Sequence, residues 1–105
     1  MTKAEELFHE IAGNISDGTK GKMLGAFCFK ATNGKAAAMF WKEYMVFKLV
    51  GDMLTEALAL YGAKIFEPAA GRPMGGWVQL SYDYKKLWPK YAEKAMEKAR
   101  LIKVK

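Results

Sequence analysis

The sequence contains one cysteine, Cys28, and one histidine, His9, among 105 residues. A single cysteine excludes an intramolecular disulfide and any structural metal site built from several thiolates, and it fits a reducing compartment. A catalytic triad needs a histidine beside its nucleophile, whereas the helical spacing around His9 predicts a solvated position away from the apolar stripe. We therefore expect no enzyme activity, no bound metal and no cofactor.

Long apolar runs and the glycine signatures of phosphate binding are also missing. Residues 1–16 carry charges at Lys3, Glu5, Glu6 and Glu10 and contain no long apolar run, so we expect neither a signal peptide nor a membrane anchor here. None of the 10 glycines belongs to a GxxxxGK(S/T) or GxGxxG pattern. The expectation is a cytoplasmic protein that does not bind membranes.

Apolar side chains are abundant, at 51% of the sequence, and include 3 Trp, 5 Tyr and 6 Phe. Burial of that much apolar surface can offset the conformational entropy lost on folding. No linker-like composition divides the chain, so we expect one domain over residues 1–105.

The net charge of +6 comes from the C-terminal end of the chain. Through Asp83 the sequence has nine basic and nine acidic residues, whereas the 22 residues that follow have eight basic residues against Glu93 and Glu97. The whole basic excess therefore lies in the last 22 residues.

Apolar residues at helical spacing predict three helices. The first covers residues 3–16. The second begins with Asp52 as its N-cap and buries a stripe formed by Met53, Leu54, Ala57, Leu58 and Tyr61. The third begins near Trp88, because Pro89 is tolerated only in the first turn of a helix. Its predicted inner stripe is Trp88, Tyr91, Ala92, Ala95, Met96, Ala99 and Ile102.

Short apolar runs without a helical period predict strands at residues 22–30, 36–42, 45–50, 64–66 and 77–80. The Asn33-Gly34 pair suits a tight turn between the first two. The predicted fold class is α+β, an antiparallel sheet with about three helices in the order α-β-β-β-α-β-β-α. Cys28 lies within an apolar strand, which favours a small packed hydrophobic residue.

The stretches MLGAFCFK, NGK, FKLV and GAKIFEPAAGRPMGGWV resemble the N-terminal domain of TfoX/Sxy proteins and their short single-domain relatives. The similarity extends from Lys22 to about Ala99, and its most specific part is Gly71-Arg72-Pro73-Met74 followed by Trp77-Val78. The resemblance implies a small α+β domain without catalytic residues. It also implies that TfoX itself regulates natural competence in bacteria through an additional C-terminal domain, and we expect this chain to be a single-domain relative.

The first candidate site is the irregular loop at residues 71–77, together with an apolar face of the sheet. Arg72, next to Trp77, can recognise an anion or a carboxylate of a partner. Both faces of the predicted sheet carry large apolar side chains, and three short helices cannot readily cover both. We therefore expect a noncatalytic regulatory or interaction module that binds a protein partner or a second copy of itself. The candidate partner-binding residues are Trp41, Arg72, Met74 and Trp77.

The alternative is weak nucleic-acid binding by the third helix. Lys90, Lys94 and Lys98 are spaced four residues apart and form a ridge of like charge, which a phosphate backbone would neutralise. Glu93 and Glu97 lie beside this ridge, so an ordinary solvated helix face explains the pattern as well. The candidate nucleic-acid-binding residues are Lys90, Lys94, Lys98 and Arg100.

Overall fold

The computed structural model describes residues 2–69 and 71–102, which form three α-helices and a six-stranded antiparallel sheet. The sheet order is β1-β2-β3-β4-β6-β5. The helices are α1 (Lys3–Asn14), α2 (Gly51–Leu58) and α3 (Trp88–Leu101). The strands are β1 (Thr19–Met23), β2 (Ala26–Lys30), β3 (Ala36–Trp41), β4 (Tyr44–Lys48), β5 (Lys64–Ile65) and β6 (Trp77–Leu80). The predicted α+β class and order of elements are confirmed, with one strand added.

The added strand is β1, because the segment predicted as one strand at residues 22–30 is a hairpin. β1 pairs antiparallel with β2, and Gly21 lies opposite Cys28. Leu24 and Gly25 form the turn with φ angles of 54° and 77°. Two-residue hairpin turns need positive φ, and the usual sequence signal is Asn-Gly or Asp-Gly. Leu-Gly lacks the first half of that signal, so the sequence does not show the turn.

Helix α2 differs from its prediction at both ends. Val50 is the N-cap and makes no side-chain capping bond, whereas Asp52 lies within the first turn. At the other end the helix stops at Leu58, and Tyr61 lies beyond it with 94% of its surface exposed. The predictions of Asp52 as the N-cap and of Tyr61 as a buried residue are therefore wrong. The helix ends too early for Tyr61 to face the core.

Helix α3 follows its prediction closely. Pro89 lies in its first turn, and every predicted stripe residue from Trp88 to Ala99 is buried. Ile102 is the exception at 37% exposure, because it follows the end of the helix. The buried alanines let the helix backbone pack close to the sheet.

Helices α1, α2 and α3 cover the first face of the sheet. Phe8, Phe29, Phe47 and Trp88 are fully buried in the resulting cluster. This cluster forms most of the hydrophobic core.

The second face of the sheet is covered by the chain itself. Cys28, Met39 and Val46 are 0% exposed on it, and Phe66 and Trp77 complete their cluster. Phe66 belongs to the segment between β5 and β6. This segment has no helical periodicity, so the sequence did not indicate that it packs on the sheet. The expectation of an open apolar face is therefore wrong for the centre of the sheet. Half-buried apolar side chains remain at the border of this cluster: Met23, Ala36, Trp41 and Met74.

Candidate functional site

Backbone hydrogen bonds hold both ends of the loop between β5 and β6. Phe66 N–H donates to Trp77 O at 2.7 Å, and Met74 N–H donates to Phe66 O at 2.8 Å. Leu49 N–H donates to Gly76 O at 2.8 Å and so joins the loop to the end of β4. The loop is irregular in sequence but fixed at its base.

The far end of the loop has hydrogen bonds of its own. Arg72 N–H donates to Ala69 O at 2.9 Å, and Gly71 N–H donates to Glu67 Oε2 at 3.4 Å. Gly71 has a φ of 76°, a backbone conformation that residues other than glycine rarely adopt. Gly71 thus allows this tight conformation, and the two hydrogen bonds hold the backbone that carries Arg72.

Arg72 itself is exposed, and its guanidinium forms no ion pair with any carboxylate of the described residues. The other arginine of the chain, Arg100, forms a bidentate pair with Asp17, with both N···O distances at 2.7 Å. Of the two guanidinium groups, that of Arg100 is paired, whereas that of Arg72 has no carboxylate partner within residues 2–69 and 71–102.

Three of the predicted partner-binding residues lie in one cluster on the second face. Trp41 and Met74 are half-buried at its border, and Trp77 belongs to its buried part at 6% exposure. Trp41 meets Phe66 in a T-shaped contact with ring centroids 5.2 Å apart. Trp77 is therefore too buried to be a contact residue, which corrects its prediction, while Trp41 and Met74 each keep part of their surface exposed.

Two lysines that the sequence reasoning did not select lie over these indole rings. Lys42 Nζ is 5.5 Å from the ring centroid of Trp41, and Lys48 Nζ is 5.7 Å from that of Trp77. Lys48 meets Trp77 only because β4 pairs with β6, which is distant in sequence. The proximity of Lys42 to Trp41 along the chain is a signal that could have been used.

The cations of α3 lie apart from this surface, since α3 packs on the first face of the sheet. Most of them have carboxylate partners: Lys90 Nζ is 3.2 Å from Glu56, Lys94 Nζ is 3.6 Å from Glu97, and Arg100 pairs with Asp17. Glu56 and Asp17 are 34 and 83 residues away in the chain, so the sequence does not show them as partners. Lys98 has no carboxylate partner within the described ranges, and Lys103 and Lys105 lie outside these ranges.

Hydrogen bonds in these pairs shift the pKa values of the groups involved. The Arg100 guanidinium holds the pKa of Asp17 below its usual value, and Asp17 raises the pKa of Arg100. Hydrogen bonds from Tyr91 and Lys90 lower the pKa of Glu56. Burial, together with the hydrogen bond to Glu56, raises the pKa of Tyr91 to about 12. Both carboxylates are therefore charged at neutral pH and balance the cations beside them.

His9 and Cys28 lie on opposite faces of the sheet. His9 is half-buried rather than fully solvated, because Phe27 of β2 packs against it, with ring centroids 5.0 Å apart. Its Nδ1 is 3.1 Å from Lys20 Nζ. Cys28 is fully buried in the second cluster, and burial raises the pKa of its thiol. The two side chains do not form a catalytic pair.

Over residues 2–69 and 71–102, no three His, Cys, Asp or Glu side chains converge as a metal site requires. No helix in the described part of the chain has the length and apolar character needed to cross a bilayer. Comparisons with protein-family models, curated proteins and solved structures found no match to this chain. The resemblance to the TfoX/Sxy N-terminal domain therefore stays a prediction.

Proposed function

We propose that this protein is a noncatalytic interaction module that binds an acidic segment of a protein partner. The binding surface is formed by Arg72 and Met74 on the loop between β5 and β6, with Trp41 and Lys42 at the end of β3, and is called the loop surface below. The observation that carries the proposal is the exposed Arg72, whose guanidinium pairs with no described carboxylate, on a loop fixed at both ends.

A fixed loop favours binding, since little backbone freedom remains to be lost when a partner docks. A guanidinium can donate two parallel hydrogen bonds to one carboxylate, which gives both strength and orientation. The Arg100–Asp17 pair shows this geometry within the same chain. Arg72 has the same chemistry and no internal partner among the described residues.

The apolar part of the loop surface comes from Trp41 and Met74. Both are half-buried, so each is held in place by the second cluster while part of its surface stays accessible. Tryptophan, methionine and arginine are enriched where proteins bind one another. Lys42 beside Trp41 adds positive charge, which favours an acidic partner.

Nucleic-acid binding by α3 has less support. Lys90, Lys94 and Arg100 each face a carboxylate of the chain, so a phosphate would have to compete with an existing ion pair. No aromatic or glycine-rich nucleic-acid motif accompanies these cations in the sequence.

The test uses an array of immobilised peptides rich in glutamate and aspartate, each with one leucine or aromatic residue, probed with the purified protein. We expect Arg72→Ala to weaken binding of the best peptides at least about tenfold, because a charged interface pair is worth about 2 kcal/mol or more. Arg72→Lys should bind with intermediate strength, since it keeps the charge but loses the fork.

The matched control is Lys86→Ala, which removes one exposed positive charge away from the loop surface. It should bind the same peptides as the wild type does. Equal binding by the wild type and Arg72→Ala, with unchanged circular dichroism, would refute the proposed function.

A further inference from the structure

A small pocket lies between the end of α3 and the sheet, separate from the loop surface. It has a volume of about 150 Å³. Ala36, Lys48 and Val50 line it from the sheet side, and Lys98, Ala99 and Ile102 line it from the helix. We call it the α3 pocket.

The charge in the α3 pocket is of one sign. Its lining includes Lys48 and Lys98 and no carboxylate. Lys98 is the cation of α3 that has no acidic partner in the described part of the chain. The Lys48 ammonium lies on the second face of the sheet, 5.7 Å from the centroid of the Trp77 ring. An anion bound in the pocket would therefore lie beside Lys98, whose charge no described carboxylate neutralises.

The rest of the lining is apolar. Val50 and Ile102 are two of the few large apolar side chains left open on the described surface, at 47% and 37% exposure. A ligand that covered them would remove apolar area from water, which is worth about 25 cal/mol per Å². A cavity of about 150 Å³ can hold a benzene ring. The pocket thus accommodates an apolar body of about that size.

The C-terminus of α3 lies beside the pocket and is capped by a side chain, so it repels an anion less than an uncapped helix end would. Free carbonyl groups at the end of a helix carry partial negative charge. Here Asn33 Nδ2 donates to Ala99 O at 2.7 Å and to Ile102 O at 2.9 Å. This side-chain cap offsets part of the negative end of α3.

We propose that the α3 pocket binds a small monocarboxylate whose apolar part is about the size of a benzene ring. The carboxylate accepts a hydrogen bond from Lys98, and the ring lies against Val50, Ala99 and Ile102. The site is independent of the loop surface and of its protein partner.

The experiment is a titration of the labelled protein with sodium benzoate, followed by amide chemical shifts, with benzamide as the neutral probe of the same shape. We expect saturable benzoate shifts centred on residues 36, 48, 50, 95, 98, 99 and 102, and at least tenfold weaker binding of benzamide. Lys98→Gln should weaken benzoate binding about tenfold, since a hydrogen bond to a charged group is worth about 1.5–3 kcal/mol.

Lys94→Gln is the matched control, because Lys94 is on the same helix one turn earlier and does not line the pocket. It should bind benzoate as the wild type does, and so should Arg72→Ala. Lys98 is exposed, so Lys98→Gln should keep the wild-type melting temperature. Shifts that do not saturate, shifts spread over the surface, equal loss in the two glutamine variants, or equal affinity for benzamide would each overturn the proposal.

Discussion

Replacing Phe66 with alanine tests whether the segment between β5 and β6 seals the second face of the sheet. Phe66 is 0% exposed and packs with Met39 and Val46 and against Trp41. Its backbone N–H and carbonyl form hydrogen bonds that the substitution leaves in place. The change therefore removes side-chain packing alone.

The expected loss can be worked from this environment. Replacing a fully buried phenylalanine with alanine costs about 3–5 kcal/mol of unfolding free energy, including the cavity left behind. An aromatic contact such as that with Trp41 adds about 0.5–1.5 kcal/mol beyond area burial, which favours the upper part of that range. A domain is stable by only about 5–15 kcal/mol, so the variant should be close to its folding limit.

The assay is urea unfolding followed by circular dichroism, with the free energy extrapolated to water. Phe66→Leu should lose less than Phe66→Ala, and it gives a measurable value if the alanine variant does not fold. Tyr61→Ala is the control, because Tyr61 is an aromatic residue that is 94% exposed, and it should change stability by no more than about 0.5 kcal/mol. A loss below about 1 kcal/mol for Phe66→Ala would show that the second face is not sealed as described.

Two further predictions concern Tyr91 and Asn33. The pKa of Tyr91 is raised to about 12 from its usual value of 10.0, so the unfolded chain releases the phenolic proton first and stability should fall as the pH rises from 10 to about 12. Tyr91→Phe should lack this part of the fall, and parallel urea midpoints for the two proteins across that pH range would contradict the prediction. Asn33→Ala removes two hydrogen bonds to the end of α3 and should cost about 1–2 kcal/mol in urea unfolding. Asn33→Asp should cost more, since it places a carboxylate against carbonyl oxygens, and wild-type stability of the aspartate variant would refute the described cap.

Sequence periodicity correctly predicted helices whose buried side is one continuous stripe of apolar residues. Helix α3 is the clearest case, because Pro89 marks its start and the spacing from Trp88 to Ala99 marks its buried side. The β1–β2 hairpin was missed, since Leu24-Gly25 adopts positive φ without the residue types that usually signal it. The missed strand β1 also brings Lys20 to His9, with Lys20 Nζ 3.1 Å from His9 Nδ1.

The candidate site was predicted in part for a similar reason. Arg72 was identified because glycine and proline around it indicate a surface loop, and its exposure agrees with that interpretation. Trp77 follows the same glycine-rich loop in sequence, but its side chain is buried. Strand β6 pairs with β4, which is distant in sequence, and this pairing places Trp77 in the second cluster. The carboxylates that pair with Lys90 and Arg100 were missed because such contacts depend on tertiary structure alone.

The two outer strands of the sheet bear on how copies of this protein can associate. An unpaired strand edge offers free N–H and C=O groups to another chain, and proteins limit this hazard with short edge strands and lysines. Here β5 is only 2 residues long, and β1 carries Lys20 and Lys22 on its 5 residues. Pairing of either outer strand with a strand of another copy is therefore disfavoured. A second copy of the chain would have to bind to a face of the sheet or to a loop.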